Sequence, residues 1–389
     1  MLEWFPLLIA NEVITKIENY MIIITNNIVS ELSAYLSSHR HDKVFVLSDT
    51  ITYEKCLPLL NVAFRSGGIT PIPSEAERDG VAVTGNSGGD FISITIEAGD
   101  MHKDIGQVCT VWDVLSKGGA SRNSLLINVG GGMVTDLGGF AGATFKRGLH
   151  LLHIPTTLMA AVDASVGGKT GVNYKGLKNE IGAFYQADCV MIDCRFLKTL
   201  DFTNLLSGYA EMIKHGLISD KKSFYDVLAF DIEQPDYVKL NELVGVSVAI
   251  KERFVEADPT EQGIRKALNL GHTAGHAIES LSFQRKHPMP HGIAVAVGMI
   301  CELYLSYKTC RLPVELLRQL TNFIKAYYPP AVFSCNEYET IYELMMHDKK
   351  NKDGRIRFTL LGAIGDVRIN QEVSKSLVFE SFDFYRDNI

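Results

Sequence analysis

Short apolar runs alternate with segments of helical period through the first half of the chain. Tyr20 to Thr25, Val44 to Asp49, Ile92 to Glu97 and Leu125 to Val129 have the length and β-branched content of buried strands. Ile28 to Leu36 and Val108 to Leu115 space their apolar residues three and four apart, as an amphipathic helix does. Strands alternating with helices predict βαβ units and a parallel, Rossmann-like sheet, with ligands beyond the carboxyl ends of its strands. From about Phe196 helical period takes over: Leu205 to Leu217, Val238 to Asp258, His272 to Leu281, Ile293 to Tyr307 and Val314 to Ala326. The pattern predicts an α/β domain over residues 1–195 and a mostly α-helical domain over residues 196–389. The stretch 74–91, rich in Gly, Ser and Glu, predicts a variable loop.

Composition narrows the function classes. The chain has 389 residues, 46% of them apolar and 21% charged, which suits a two-domain globular enzyme with ample core. A formal net charge of -7 argues against a nucleic-acid partner. Lysines and arginines nonetheless gather in the segments that carry the glycines and histidines, which points to a small anionic ligand. Seven cysteines form no Cys-x-x-Cys pair and read as reduced core thiols of a cytoplasmic protein. The start of the chain lacks the basic flank and apolar run of a signal peptide, and no apolar segment is expected to span a bilayer, so no membrane partner is expected.

Two glycine-rich regions carry candidate chemistry. Gly130-Gly131-Gly132 follows a strand and opens a helix that contains Asp136. Glycines there let backbone N–H groups approach a pyrophosphate, and a helix N-terminus favours its charge; a plain tight turn is the competing reading. The pattern is not G-x-G-x-x-G. Gly99, Asp100 and Lys103 follow another strand and offer a second contact, or a solvated turn. Thr156 and Thr157, then Asp163 and Ser165-Val166-Gly167-Gly168-Lys169-Thr170, then Lys178 and Asn179 come in close succession. Ala164 stands where a phosphate-binding P-loop needs its first glycine, so that motif is rejected. The hydroxyls, carboxylate and lysines can hold a polyhydroxylated anion or a nucleotide.

Gly271-His272-Thr273-Ala274-Gly275-His276 sets two imidazoles on one face of a helix. His291 follows, and Glu211 precedes them in Ala210-Glu211-Met212-Ile213-Lys214. Two imidazoles and a carboxylate with an open position form the ligand set of a catalytic zinc. Four candidates compete for three places, and Glu211 has Lys214 as an alternative ion-pair partner. Lys251, Arg265 and Asn269 form a further polar set; were the helix continuous, Arg265 would lie about two turns before His272. Asp348-Lys349-Lys350-Asn351 adds a late cationic turn.

Taken in order, Gly-Gly-Gly with Asp136, Ser-Val-Gly-Gly-Lys-Thr, Lys-Asn-x-Ile-Gly, Ala-Glu-x-Ile-Lys and Gly-His-x-x-Gly-His resemble the 3-dehydroquinate synthase family of sugar-phosphate cyclases. The resemblance runs from about Glu97 to Cys301 and returns from His347 to Leu361. It implies NAD on the first domain, at Asp49, Gly99, Asp100, Lys103, Gly132, Asp136, Thr156, Thr157, Lys169 and Lys178. It implies zinc, with cobalt as a substitute, on Glu211, His272 and His291, leaving His276 beside the substrate. The implied substrate is a small sugar phosphate, 3-deoxy-D-arabino-heptulosonate 7-phosphate, met by Asp163, Lys169, Asn179, Lys214, Lys251, Arg265, Asn269 and Lys350. His276 and Lys214 are the implied proton-handling residues. An arginine at the position of Arg147 reaches the phosphate across a dimer interface in that family, so a homodimer is implied. Other sugar-phosphate cyclases, of inosose or valiolone type, and metal-dependent polyol dehydrogenases are the alternative readings. Two positions depart from the family: Ile51 replaces an asparagine near the ribose, and Ile293 replaces the glutamate that often follows His-Gly.

Overall fold

The computed structural model describes residues 7–9, 12–17, 20–67, 70–71, 90–175, 177–346 and 355–389. Lys350 and nearly all of the loop expected over 74–91 lie outside the described residues; Asp90 and Phe91 belong to a strand. The chain divides into two compact units. One holds residues 1–200 with Tyr237–Gly245, and the other holds Asp201–Asp236 with Val246–Ile389.

The first unit is built on a nine-stranded sheet. Its strands are β1 (Leu7–Ile9), β2 (Glu12–Ile17), β3 (Tyr20–Ile24), β4 (Val44–Asp49), β5 (Thr70–Pro71), β6 (Asp90–Ile96), β7 (Leu125–Gly130) and β8 (His150–Pro155), with β9 (Lys169–Tyr174) and β10 (Leu177–Phe184) forming a separate hairpin before β11 (Cys189–Ile192) rejoins the sheet. The sheet order is β1-β2-β3-β11-β8-β7-β4-β6-β5. Strands β1 and β2 are antiparallel, and from β3 onward neighbours run parallel. Every residue of β4 and of β7 is buried, as parallel strands covered on both faces require.

The helices of this unit are α1 (Ile28–Ser38), α2 (Thr50–Lys55), α3 (Leu57–Ser66), α4 (Ile105–Lys117) and α5 (Gly132–Thr144). Asp104 starts α4 by accepting from Gln107 N, and Val108, Val111, Val114 and Leu115 form its buried stripe. One layer of core joins α1 and α3 to the sheet through Leu32, Leu36, Leu60, Phe64, Val46 and Ile127. Asn241 explains why part of the later chain belongs here: it accepts from Cys194 N and donates to Thr25 O.

The order of strands places a topological switch at the centre of the sheet. From β4 the chain goes outward to β5 and β6, then returns to β7 on the other side of β4. A crevice opens beyond the carboxyl ends of strands where the winding reverses, which is where ligands of such sheets bind. Here that point lies between Asp49 at the end of β4 and Gly130 at the end of β7, and Thr52 Oγ1 ties the two by donating to Val129 O.

The second unit is mostly helical: α6 (Phe202–Ser219), α7 (Lys221–Leu228), the later part of α8 (Tyr237–Ala257), α9 (His272–Gln284), α10 (His291–Cys310), α11 (Val314–Tyr327), α12 (Tyr338–Met346) and α13 (Lys375–Asn388). It also has a hairpin, β12 (Phe358–Ala363) with β13 (Asp366–Gln371), which the helical period does not announce. Helix α10 is buried without a break from Gly292 to Leu303. This corrects one expectation: His291–Cys310 is long and apolar enough to cross a membrane, with mean hydropathy 1.3. It is apolar all round because it is the core helix of this unit, with 78% of its most apolar 18-residue stretch buried. The cysteine reading also needs correction. Cys56, Cys189, Cys194, Cys301 and Cys310 are buried free thiols, but Cys109 and Cys335 are exposed.

Candidate functional site

In the first unit, four adjacent strands deliver the candidate cofactor residues to one edge. Beyond β6 come Gly99, Asp100 and Lys103; beyond β4, Asp49; beyond β7, Gly130 to Gly132; beyond β8, Thr156 and Thr157. Gly99 has φ +105°, a conformation L side chains rarely adopt. A side chain on Gly131 would begin 3.0 Å from Thr157 Cγ2, so the glycine turn and the threonines lie in contact. Thr156 N donates to Gly130 O across the same gap. Gly131 caps α5 with no side-chain oxygen, an arrangement that fits the backbone cradle of a pyrophosphate. Asp49 is also the N-cap of α2, its Oδ1 accepting from Ile51 N and Thr52 N. Ile51 itself is half exposed, at 53%.

Lys103 organises this edge. Its ammonium is buried and donates to Asp136 Oδ2 at 2.6 Å and to Asn179 Oδ1 at 2.6 Å. Lys178 pairs with Asp100 at 3.1 Å. Asn179 sits at φ +49°, where the β9–β10 hairpin loses its register. Asn173, which the motifs did not single out, braces the group: its Oδ1 accepts from Asn179 N, its Nδ2 donates to Asp100 O, and its own N–H donates to Lys103 O. Its signal in the sequence was weak, a single amide in an alternating strand. Asp163 lies on a π-helical turn, Ala160–Ala164, closed by Ser165 N donating to Ala160 O. Lys169 opens β9 and is exposed. Arg147 is exposed on the turn before His150, at the amino edge of the sheet. It is therefore at the edge opposite to the one that gathers the cofactor candidates.

In the second unit, Glu211 on α6, His272 and His276 on α9 and His291 at the start of α10 come together. The ring centroids of the three histidines lie 5.2 to 5.5 Å apart. Glu211 is fully buried, and its Oε1 lies 3.6 Å from His272 Nε2 and 3.8 Å from His291 Nε2. Those separations exceed a hydrogen bond. They approach the roughly 3.3 Å between donors on a tetrahedral ion with bonds of about 2.0–2.1 Å. The other carboxylate oxygen, Oε2, is ion-paired with buried Lys214. Both readings of Glu211 made from the sequence are thus compatible, one for each oxygen.

The far sides of the two imidazoles are fixed as ligating histidines require. His272 Nδ1 bonds Leu270 O at 3.1 Å, and His291 Nδ1 bonds Glu279 Oε2 at 3.2 Å. Glu279 is a buried carboxylate that the motif reading missed. Its signal was present: it lies on α9, seven residues after His272 and on the same face. The donor set, its spacing and these outer bonds fit a divalent ion such as zinc. His276 also lies within reach of the other two histidines, so the three imidazoles form a second possible ligand set.

The polar set downstream is arranged differently from the continuous helix considered above. Arg265 and Asn269 lie on a 3-10 turn, Ile264–Asn269, and Gly271 at φ +78° separates it from α9. Arg265 and Lys251 are buried. Arg265 donates to Pro259 O at 2.6 Å, and Asn269 donates to Glu261 Oε1 at 2.8 Å. Glu252, beside Lys251, is a fully buried carboxyl; burial pushes its pKa up to about 8, aided by Glu256 and opposed by Arg265.

Known proteins match this chain over both units. The profile of the 3-dehydroquinate synthase N-terminal domain matches residues 93–207, and that of the C-terminal domain matches residues 208–351. A 3-dehydroquinate synthase of Parabacteroides distasonis is 55% identical over 369 residues, covering 94% of this chain and 98% of that protein. One from Clostridium tetani is 38% identical, covering 73% of this chain and 76% of its own. Among solved structures, a 2-epi-5-epi-valiolone synthase from Streptomyces hygroscopicus, with NAD+ and Zn2+ bound, superposes with a TM-score of 0.81 at 21% identity, covering 96% of this chain and 99% of that one. A 2-deoxy-scyllo-inosose synthase complexed with carbaglucose-6-phosphate, NAD+ and Co2+ gives 0.79 at 22% identity, covering 95% and 97%. These two share the fold. Because the two profiles run consecutively through the residues that build both clusters, and identity extends over nearly the whole chain, this chain belongs to the 3-dehydroquinate synthase family.

Proposed function

We propose that this chain converts 3-deoxy-D-arabino-heptulosonate 7-phosphate to 3-dehydroquinate and inorganic phosphate, using NAD and a divalent metal, zinc or cobalt. The observation that carries the reading is the meeting of Glu211 Oε1 with His272 Nε2 and His291 Nε2. Those three are assigned as the metal ligands. When bound, the metal supplies Lewis acidity toward a substrate hydroxyl, and NAD supplies a temporary hydride acceptor.

The residues of the chain prepare and orient. Glu279 holds the His291 ring, and Lys214 balances the second oxygen of Glu211. His276, on the same face as His272, is assigned to proton handling together with Lys214. Lys251, Arg265 and Asn269 are assigned to the substrate carboxylate; a buried guanidinium and a buried ammonium favour an anionic group. Asp163, Lys169 and Asn179 are assigned to its hydroxyls, Lys350 to a further anionic contact, and Arg147 to the phosphate of a second copy in a homodimer. On the first unit, Asp49, Gly99, Asp100, Lys103, Gly132, Asp136, Thr156, Thr157, Lys169 and Lys178 are assigned to NAD. The enzyme is assigned to the cytoplasm.

The test is release of inorganic phosphate from the seven-carbon acid phosphate with catalytic NAD and zinc. No net NADH should accumulate, because a polyol dehydrogenase would build it up stoichiometrically. Phosphate release only from a sugar phosphate lacking the carboxylate would favour the inosose- or valiolone-type reading instead. His291→Ala should lose both bound zinc and turnover; full zinc occupancy in that variant refutes the ligand assignment.

A further inference from the structure

Helix α9 carries His272 at its first helical position, yet its N-cap residue, Gly271, has no side chain to cap it. The first N–H groups of a helix need acceptors, and a Ser, Thr, Asp or Asn at the N-cap supplies them by bonding the second or third helical N–H. Here a residue from another helix does so. Glu302, fully buried on α10, accepts from Thr273 N at 3.0 Å and Ala274 N at 3.1 Å through Oε1, and from Gly271 N at 2.7 Å through Oε2. Its two oxygens thus bracket His272 along the backbone, bonding the residue before it and the two after it.

Glu302 shares α10 with His291, eleven residues earlier and about 16 Å along a rigid helix. The two helices meet closely. A side chain on Gly298 would begin 2.0 Å from Gly271 O, and one on Gly275 would begin 2.9 Å from Ala294 O. One helix therefore presents one histidine and grips the backbone that presents the other.

We infer that Glu302 is a positioning residue for the metal site, fixing the start of α9 so that His272 Nε2 meets Glu211 and His291 at ligand spacing. The inference rests on the reading that Glu211, His272 and His291 bind a divalent ion. A buried carboxylate is tolerated only when hydrogen-bonded, and Glu302 has at least these three charge-assisted bonds. Without the charge, donors at the helix start lose their acceptor, and the backbone of His272 is released rather than its ring. In Glu302→Gln the amide carbonyl keeps at most one side of the bracket, and its NH2 faces an N–H.

The experiment measures zinc affinity by chelator competition and the d–d absorption of the cobalt-loaded full-length protein. Three proteins are compared: wild type, Glu302→Gln and Ser374→Ala. Ser374 caps α13, so its loss removes a helix cap without touching α9. Glu302→Gln should weaken zinc binding about tenfold to a hundredfold, the range for outer partners of metal ligands, and alter the cobalt spectrum. Ser374→Ala should lower thermal stability and leave both unchanged. If Glu302→Gln does not fold, Glu302→Asp keeps the charge but shortens its reach, and the same losses are expected. Wild-type affinity and spectrum in the folded variant overturn the inference. A wild-type protein that binds no zinc overturns the metal reading itself, a separate result.

Discussion

The Glu279–His291 bond is the most direct handle on the proposed metal site at the scale of single residues. An ionised carboxylate on Nδ1 holds the imidazole tautomer that leaves Nε2 to the metal, and raises its basicity. Glu279→Gln keeps shape and burial but removes the charge. It is expected to weaken zinc binding by about tenfold or more while leaving the far-ultraviolet circular dichroism intact. An unchanged zinc affinity would show that Glu279 serves packing alone. Of the proposed ligands, the sequence made the two-imidazole face of Gly271 to His276 legible locally, whereas Glu211, 61 residues earlier, and His291 were singled out as a set only through the family resemblance. Their supporting groups were harder to find. Asn173, Glu279 and Glu302 are ordinary polar residues whose significance comes from tertiary neighbours. Glu302 did leave a trace: it is the only charged residue between His291 and Lys308 in the sequence of α10. A lone charge in a helix that is buried all round signals a partner, although not which one.

Among elements, the contact between α9 and α10 sets the geometry of two of the proposed ligands, His272 and His291. Gly298 lies where any side chain would meet Gly271 O at 2.0 Å and Gly275 N at 2.6 Å. Gly298→Ala should therefore push the helices apart, destabilising the fold by about 1–3 kcal/mol or more, as overpacking does. Urea unfolding checks the stability, and zinc affinity should fall with it because His272 and His291 move apart. A variant as stable as wild type would mean the helices accommodate a methyl group there. Helices α9 and α10 were legible from period, and β4, β6 and β7 from their apolar runs, since each pattern reports burial directly, whereas α2, α3, α7, α12 and α13 were not singled out. The passage from Arg265 to His272 was not legible. Sequence spacing suggested two turns of one helix, but a 3-10 turn and the left-handed Gly271 intervene. Nor were the β9–β10 and β12–β13 hairpins, whose exposed faces dilute the apolar alternation.

For the molecule as a whole, two buried groups, one in each unit, should make contributions to stability that change with pH in opposite directions. In the first unit, His153 is fully buried against Asn128, and burial lowers its pKa to about 4. The unfolded chain takes up a proton near pH 6.5 that the folded unit refuses until about pH 4. The unfolded state thus binds more protons in that window, so stability falls as the solution is acidified from pH 6.5 toward 4, by on the order of 3 kcal/mol. Glu252 in the second unit works the other way. Its folded pKa of about 8 exceeds the ordinary 4.5, so the folded state holds a proton that the unfolded chain has lost. Its contribution is full below pH 4.5 and disappears as pH rises through about 8. The two windows overlap, so each is isolated by a variant. His153→Gln should flatten the acid limb of a plot of melting temperature against pH, and Glu252→Gln should raise stability most at pH 8 and above. Glu256 and Arg265 act on Glu252 from nearby, so the alkaline limb should also steepen when Arg265, which favours the ionised form, is replaced. Parallel limbs in wild type and Glu252→Gln would mean that Glu252 is ionised in the folded protein, balanced by Arg265.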